Sequence, residues 1–133
     1  MSTTLAIERG EIWVADLDPG YGTEPGKQRP VLIVQAQALL AAEHPSTLVV
    51  PLTTNLIGPA EPLRIRVPAS RELNENSDLL IDQLRAIDNR RLRKGPLTRL
   101  SAELMTHVAD AISQVLDIDL ELDSHRIGRQ EFS

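Results

Sequence analysis

Two short runs, Val31-Leu32-Ile33-Val34 and Thr47-Leu48-Val49-Val50-Pro51-Leu52, show no alternation of polar and apolar residues. Each is shorter than the roughly 10–12 residues of a buried helix and rich in β-branched side chains, so each reads as a strand covered on both faces. Such strands lie inside a barrel or between layers, which restricts the chain to folds that wrap or sandwich a sheet. Proline sharpens the boundaries. Arg29 precedes Pro30, and a residue before proline is pushed to extended backbone, so Arg29 belongs at a strand entrance. The second run ends in Pro51-Leu52-Thr53-Thr54-Asn55.

The other elements follow from local pattern. Glu11–Leu17 is a β-branched and aromatic strand stopped by Asp18-Pro19-Gly20. Ala36–His44 suits a short helical excursion ending at Pro45. Leu63–Val67 alternates, as a strand with one wet face does. Asp78–Ile87 reads as one or two strands with Asp82, Gln83 and Arg85 at the polar positions. Ser101 is an N-cap, and Leu104, Val108, Ala111, Ile112, Val115 and Leu116 share one helical face. Short strands broken by Gly and Pro, then one amphipathic helix, give a mostly β (α+β) class: a small barrel or sandwich with a helix packed on it.

At 133 residues and 41% hydrophobic content the chain makes one domain with one core. Its three aromatics, Trp13, Tyr21 and Phe132, leave that core to Leu, Ile, Val and Ala. Without cysteine there are no disulfides or thiolate metal sites, which suits a reducing cytoplasm. The start Met-Ser-Thr-Thr-Leu has neither a basic region nor a long apolar run, and no stretch is long and apolar enough for a membrane span. The expectation is a cytoplasmic protein without a membrane partner.

The net charge of −5 argues by itself against a nucleic-acid partner. It is unevenly spread. Residues 85–116 carry 6 basic and 3 acidic groups, while residues 117–133 carry 2 and 5. Arg85, Arg90, Arg91, Arg93, Lys94 and Arg99 face only Asp88 nearby in sequence, either as a solvated basic turn or as a local RNA-facing patch.

Several motifs fail on their spacing. Gly22-x-x-x-Gly26-Lys27 has one residue too few for a phosphate loop, and Gln28 stands where Ser or Thr is needed. Asp16-x-Asp18 begins like a calcium loop, but its twelfth position is Lys27. His44, His107 and His125 lack metal-ligand spacing, and there is neither a nucleophile elbow nor a cysteine nucleophile. What remains is Arg29 with Thr53 or Thr54. An always-charged fork beside a hydroxyl handles phosphate, but the same arginine could equally be a rim ion pair to Glu24 or Asp82.

The order of Arg9-Gly10-Glu11-Ile12-Trp13, the Gly22–Pro30 loop leading into Val31–Val34, Pro51-Leu52-Thr53-Thr54-Asn55, and Asp82-Gln83-Leu84-Arg85-Ala86-Ile87-Asp88 resembles the MazF/PemK family of toxin endoribonucleases over residues 9 to about 116. The resemblance implies an SH3-like barrel of the PemK/CcdB toxin type with a C-terminal amphipathic helix, a domain over residues 1–116, and a charged extension over 117–133. It implies metal-independent, sequence-specific cleavage of single-stranded RNA to a 2′,3′-cyclic phosphate and a 5′-hydroxyl, with no cofactor. Arg29 and Thr53 take the catalytic positions, Thr54 being the alternative one residue on. Glu24, Lys27, Gln28, Thr54, Asn55, Gln83 and Arg85 fall in RNA-groove segments. The implied partners are a second copy of the chain and a MazE-like acidic antitoxin with a disordered inhibitory segment. Thr23-Glu24-Pro25 replaces the Ser-Glu-Gln common in the family loop, which leaves base preference open. Two other readings compete: a CcdB-like gyrase-binding toxin, whose Trp-Gly-Ile terminus is here Glu131-Phe132-Ser133, and an SH3-like interaction module, for which three aromatics are too few.

Overall fold

Residues 6–24, 26–70 and 72–118 are described by a computed structural model of the chain. The β-branched, proline-bounded runs form the centre of one antiparallel sheet. Its strands are β1 (Glu11–Asp16), β2 (Gln28–Ile33), β3 (Ser46–Thr53), β4 (Arg64–Val67), β5 (Ser77–Leu80), β6 (Arg85–Asp88) and β7 (Leu92–Arg99). A short α1 (Gln37–Ala41) links β2 to β3, and α2 (Ala102–Val115) follows β7.

The strand order is β4-β5-β3-β2-β1-β7, and β6 also pairs with β3. One edge of β3 takes β2. Its other edge is shared, with β6 along Ser46–Val49 and β5 at Leu52 and Thr53. A single 3₁₀ turn, Ile81–Gln83, carries the chain from β5 to β6. Among the described residues β7 pairs with β1 alone, so the sheet curls as an open one.

The missing alternation in β2 and β3 has its explanation in two cores, one on each face. Ile12, Leu32, Val50, Leu52, Ile65 and Leu79 pack with Val108 and Ala111 of α2. Trp13, Ala15, Val31, Ile33, Val49, Ile87 and Leu92 form the opposite cluster. Leu48 departs from this pattern. It is 40% exposed because the far end of α2 leaves that corner of the sheet open, a groove of about 340 Å³ also lined by Val34, Leu84, Ile112 and Leu116.

The ends of α2 follow local chemistry. Ser101 Oγ accepts the Leu104 N–H at 3.1 Å. At the other end Asp117 turns left-handed at φ 59°, and the Asp117 and Ile118 N–H groups return to the carbonyls of Gln114 and Ser113. That is a Schellman closure with Asp in the place usually held by Gly. Leu116, expected on the buried face, sits at the cap and is 54% exposed. The charged extension expected over 117–133 lies, from residue 119 onward, outside the described residues. No described helix is long and apolar enough to cross a membrane.

Arg85–Ile87 fall in β6 as expected. Residues 89–99 depart most from the sequence reading: they are not a basic turn but a 3₁₀ turn at Asn89–Arg91 and β7. β7 carries Gly95-Pro96 and three basic residues, which hide a strand signal, yet it pairs with β1 from Glu11↔Arg99 to Ala15↔Leu92, with register shifts on either side of Val14. Gly95 is required there, since a Cβ would lie 2.6 Å from Cγ of the buried Trp13.

Candidate active site

Arg29 reaches its position through two local constraints. Pro30 holds the strand mouth extended. Ahead of it the loop folds on itself so closely that a Cβ on Gly26 would meet Asp18 Oδ1 at 2.9 Å and the Gly20 nitrogen at 3.0 Å. The Lys27 N–H donates to the Asp18 carboxylate, and the Gly26 carbonyl is left pointing at Arg29. Arg29 Nε donates to Gly26 O at 2.9 Å and Nη1 to Leu52 O at 3.4 Å. Neither Glu24 nor Asp82 pairs with it. The guanidinium is thus aimed by backbone carbonyls, its charge uncompensated, and Nη2 has no protein partner among the described residues.

Strand register supplies its neighbour. β2 and β3 pair as Val31↔Pro51 and Ile33↔Val49. Continued by one step of two residues, that register sets Arg29 across from Thr53 on the same face. Thr53 in turn pairs with Asp78 of β5, and Asp78 with Arg66 of β4. A polar row, Arg29–Thr53–Asp78–Arg66, therefore crosses four strands beside the Trp13 core. Thr54 lies past the end of β3 and outside this row, which favours Thr53 of the two threonines. Thr53 Oγ1 accepts the Asn55 N–H at 3.1 Å, leaving its own hydrogen free to donate.

Asp78 was not expected here. It is 2% exposed, accepting Arg66 Nε at 2.6 Å and Arg64 Nη1 at 3.3 Å. Burial works to raise its carboxyl, but the hydrogen bonds and charge of Arg66 and Arg64 outweigh it and hold the pKa below the ordinary carboxylate value. The alternation of Leu63–Val67 already marked both arginines as wet-face residues; nothing local marked the carboxylate that joins them. Arg64, Arg66 and Asp78 floor a cleft of about 660 Å³ walled by Ile57, Pro59 and Ala60. A smaller one of about 260 Å³ adjoins it, bringing together Thr23, Asp82, Gln83 and Arg64.

The remaining expected residues divide. Asn55 is exposed beside Thr53, and Gln83 lines the smaller cleft. Arg85 pairs with Val49, so it shares the face of Arg29 and Thr53, and its Nη1 is buried with no hydrogen-bond partner among the described residues. Glu24 and Lys27 are exposed on the loop; Gln28 is exposed too, but on the face of Leu32, opposite Arg29.

The basic run of 85–99 is not a single patch opposed by Asp88. Arg90 pairs with Asp88 at 3.0 Å, Arg93 with Asp16 at 3.3 Å, and Arg99 with Glu8 and with Glu11 at 3.3 Å. Arg91 caps the carbonyls of Asp16 and Asp18. Pairing of β7 with β1 brings Asp16 and Glu11 alongside Arg93 and Arg99, while Asp88 is only two residues from Arg90. The Arg90 hydrogen bonds lower Asp88 to about 2. The Asp18 N–H and then Arg93 lower Asp16. No group of three or more His, Asp or Glu among the described residues is arranged to hold a metal ion.

Comparison with known proteins agrees with this architecture. A family model described as PemK-like, MazF-like toxin of type II toxin-antitoxin system matches residues 8–116. The endoribonuclease MazF of Staphylococcus saprophyticus is 33% identical over 123 residues, 91% of this chain and 95% of the relative. The Mycobacterium tuberculosis toxin MazF-mt6 superposes with a TM-score of 0.65 at 29% identity, over 82% of this chain and 98% of that one. A chain of a Deinococcus radiodurans MazE-MazF crystal structure, 21% identical, shares the fold with a TM-score of 0.68 over 86% and 100%. A family match over most of the chain, with a relative one-third identical along nearly the whole of both, means that the chain belongs to the PemK-like, MazF-like toxins of type II toxin-antitoxin systems.

Proposed function

We propose that the protein is a sequence-specific endoribonuclease that cleaves single-stranded RNA by internal transesterification, without a metal or other cofactor. The substrate's 2′-oxygen attacks the adjacent phosphorus and the bond to the 5′-oxygen breaks. The products are a 2′,3′-cyclic phosphate and a 5′-hydroxyl; the 2′-hydroxyl gives up its proton and the departing 5′-oxygen takes one. The observation that carries this reading is Arg29, its charge unpaired among the described residues, its fork fixed by two carbonyls, and its register opposite a threonine whose hydroxyl is free to donate. Because the nucleophile belongs to the substrate, the protein has only to hold it in line and neutralise charge on the phosphate oxygens. Arg29 and Thr53 are the catalytic residues. Glu24, Lys27, Gln28, Thr54, Asn55, Gln83 and Arg85 contact the RNA strand. The relative's name as an endoribonuclease supports the same activity.

The unit that acts is residues 1–116, with 117–133 an appendage, and it works in the cytoplasm as a homodimer whose two copies flank shared RNA grooves. A MazE-like antitoxin occupies those grooves with an acidic segment that folds on binding; the MazE-MazF neighbour supports this partner. Incubating the purified protein with an end-labelled oligoribonucleotide in excess EDTA, and mapping the product ends, tests the chemistry. Cyclic-phosphate and 5′-hydroxyl ends formed in EDTA are expected; 5′-phosphate ends, or activity that returns only with magnesium, would overturn it.

A further inference from the structure

The polar row contains a buried charge that the proposed chemistry does not use. Asp78 offers substrate no free carboxylate oxygen, since it is 2% exposed and both oxygens are taken by arginines. Arg64 Nη1 is shared. It donates to Asp78 Oδ2 at 3.3 Å and to the carbonyl of Asn55 at 2.9 Å. The N–H of that same Asn55 donates to Thr53 Oγ1 at 3.1 Å. Arg66 acts in parallel, bonded to Asp78 Oδ1 and, through Nη2, to the Ile57 carbonyl at 3.3 Å. Two arginines anchored on one carboxylate thus grip the segment after Thr53 by its backbone.

We infer that Asp78 is the positioning residue of the Thr53 hydroxyl: through Arg64 it fixes the Asn55 residue whose N–H occupies a Thr53 lone pair, so that the threonine hydrogen points outward as a donor. This rests on the reading of Thr53 as a phosphate donor. The physical ground is that a hydroxyl rotates freely unless its acceptor side is held, and that electrostatic catalysis needs donors oriented before charge develops. Protonation or removal of the carboxylate leaves two arginines side by side with no anion between them, and like charges part. The Asn55 anchor is then lost while the core beneath, formed by the other face of β4 and β5, keeps Ile65, Val67 and Leu79 in place.

The test is a mutant cycle with hydrogen exchange. Asp78→Asn and, separately, Arg64→Gln are made in the wild-type and Thr53→Val backgrounds; Arg64→Gln keeps the Arg66–Asp78 pair and carries the test if Asp78→Asn does not fold. Each change is expected to lower single-turnover RNA cleavage by about tenfold or more with KM nearly unchanged. In the Thr53→Val background the further loss should be under about twofold, because both changes act through the same hydroxyl. The Asn55 amide should exchange faster by about tenfold in either variant. Fully additive losses in the two backgrounds, or unchanged Asn55 exchange, would overturn the assignment. Should wild-type protein fail to cleave RNA, the functional reading falls and the Asn55 exchange rate alone decides whether Asp78 sets this segment.

Discussion

Replacing Arg29 by alanine separates the folding role of this side chain from its chemical one. Its structural contribution is small and can be itemised. The Nη1 bond to Leu52 O, at 3.4 Å, is longer than an ordinary N–H···O bond and contributes little. The Nε bond to Gly26 O, at 2.9 Å, is a good one from a charged donor, worth about 1.5 kcal/mol at this half-buried site. Against a domain stability of about 5–15 kcal/mol, Arg29→Ala should stay folded. The catalytic loss is larger. Removing one preorganised donor to a developing oxyanion costs about 10²–10³ in rate, roughly 2.7–4 kcal/mol. A guanidinium offers more than one donor, so the loss should reach about 10³ or more. Arg29→Lys keeps a charge but not the fork, and should remain impaired by at least about tenfold. Urea melts give the stability change, and single-turnover cleavage of a fluorescent oligoribonucleotide gives the rate. An Arg29→Ala protein with a cooperative melt and cleavage within about threefold of wild type would refute the phosphate-donor role.

Thr53→Val, nearly isosteric, should lower cleavage by about 10²–10³, to a slow but measurable rate, while Thr53→Ser keeps more of it and Thr54→Val is milder; the same oligonucleotide assay showing Thr54→Val as the more damaging change would shift the site by one residue. Gly95→Ala should lower stability by about 1–3 kcal/mol in urea melts, since the added Cβ would overlap the buried Trp13 ring; an unchanged midpoint would mean that β7 lies further from β1. In acid, Asp78 should contribute a visible limb. Its folded pKa is depressed, so its stabilisation is complete above the ordinary carboxylate value of 3.8 and is lost as pH falls through the lower folded value. The difference in unfolding midpoint between wild type and Asp78→Asn should therefore shrink below about pH 4, and a difference independent of pH would show that the carboxylate charge is not what matters.

How much of this was legible in the sequence depends on how far apart the responsible residues lie. Periodicity and capping act within one segment. Apolar runs without alternation gave away the doubly covered β2 and β3, Arg64–Val67 displayed its wet face, and Ser101 with its downstream stripe marked α2. Pro30 alone put Arg29 at a strand mouth. Residue types and their order were thus enough for these elements and for the arginine's place at a strand mouth. They were not enough for β7, whose glycine, proline and cations carry no strand signal and which exists because β1 pairs with it. Nor could they show the charge balance. The run 85–99 is strongly basic in sequence, but Arg93 meets Asp16 across 77 positions and Arg99 meets Glu11 across 88. Ion pairs form between neighbours in space, so local charge counts misjudge any segment that becomes a strand. That Thr53 and not Thr54 stands across from Arg29 could be seen only from the β2–β3 register, because one residue along a strand reverses the face. Asp78 could be recognised only once β4, β5 and the loop after β3 were side by side: its two arginines lie 12 and 14 residues away, and its burial comes from packing rather than from any motif.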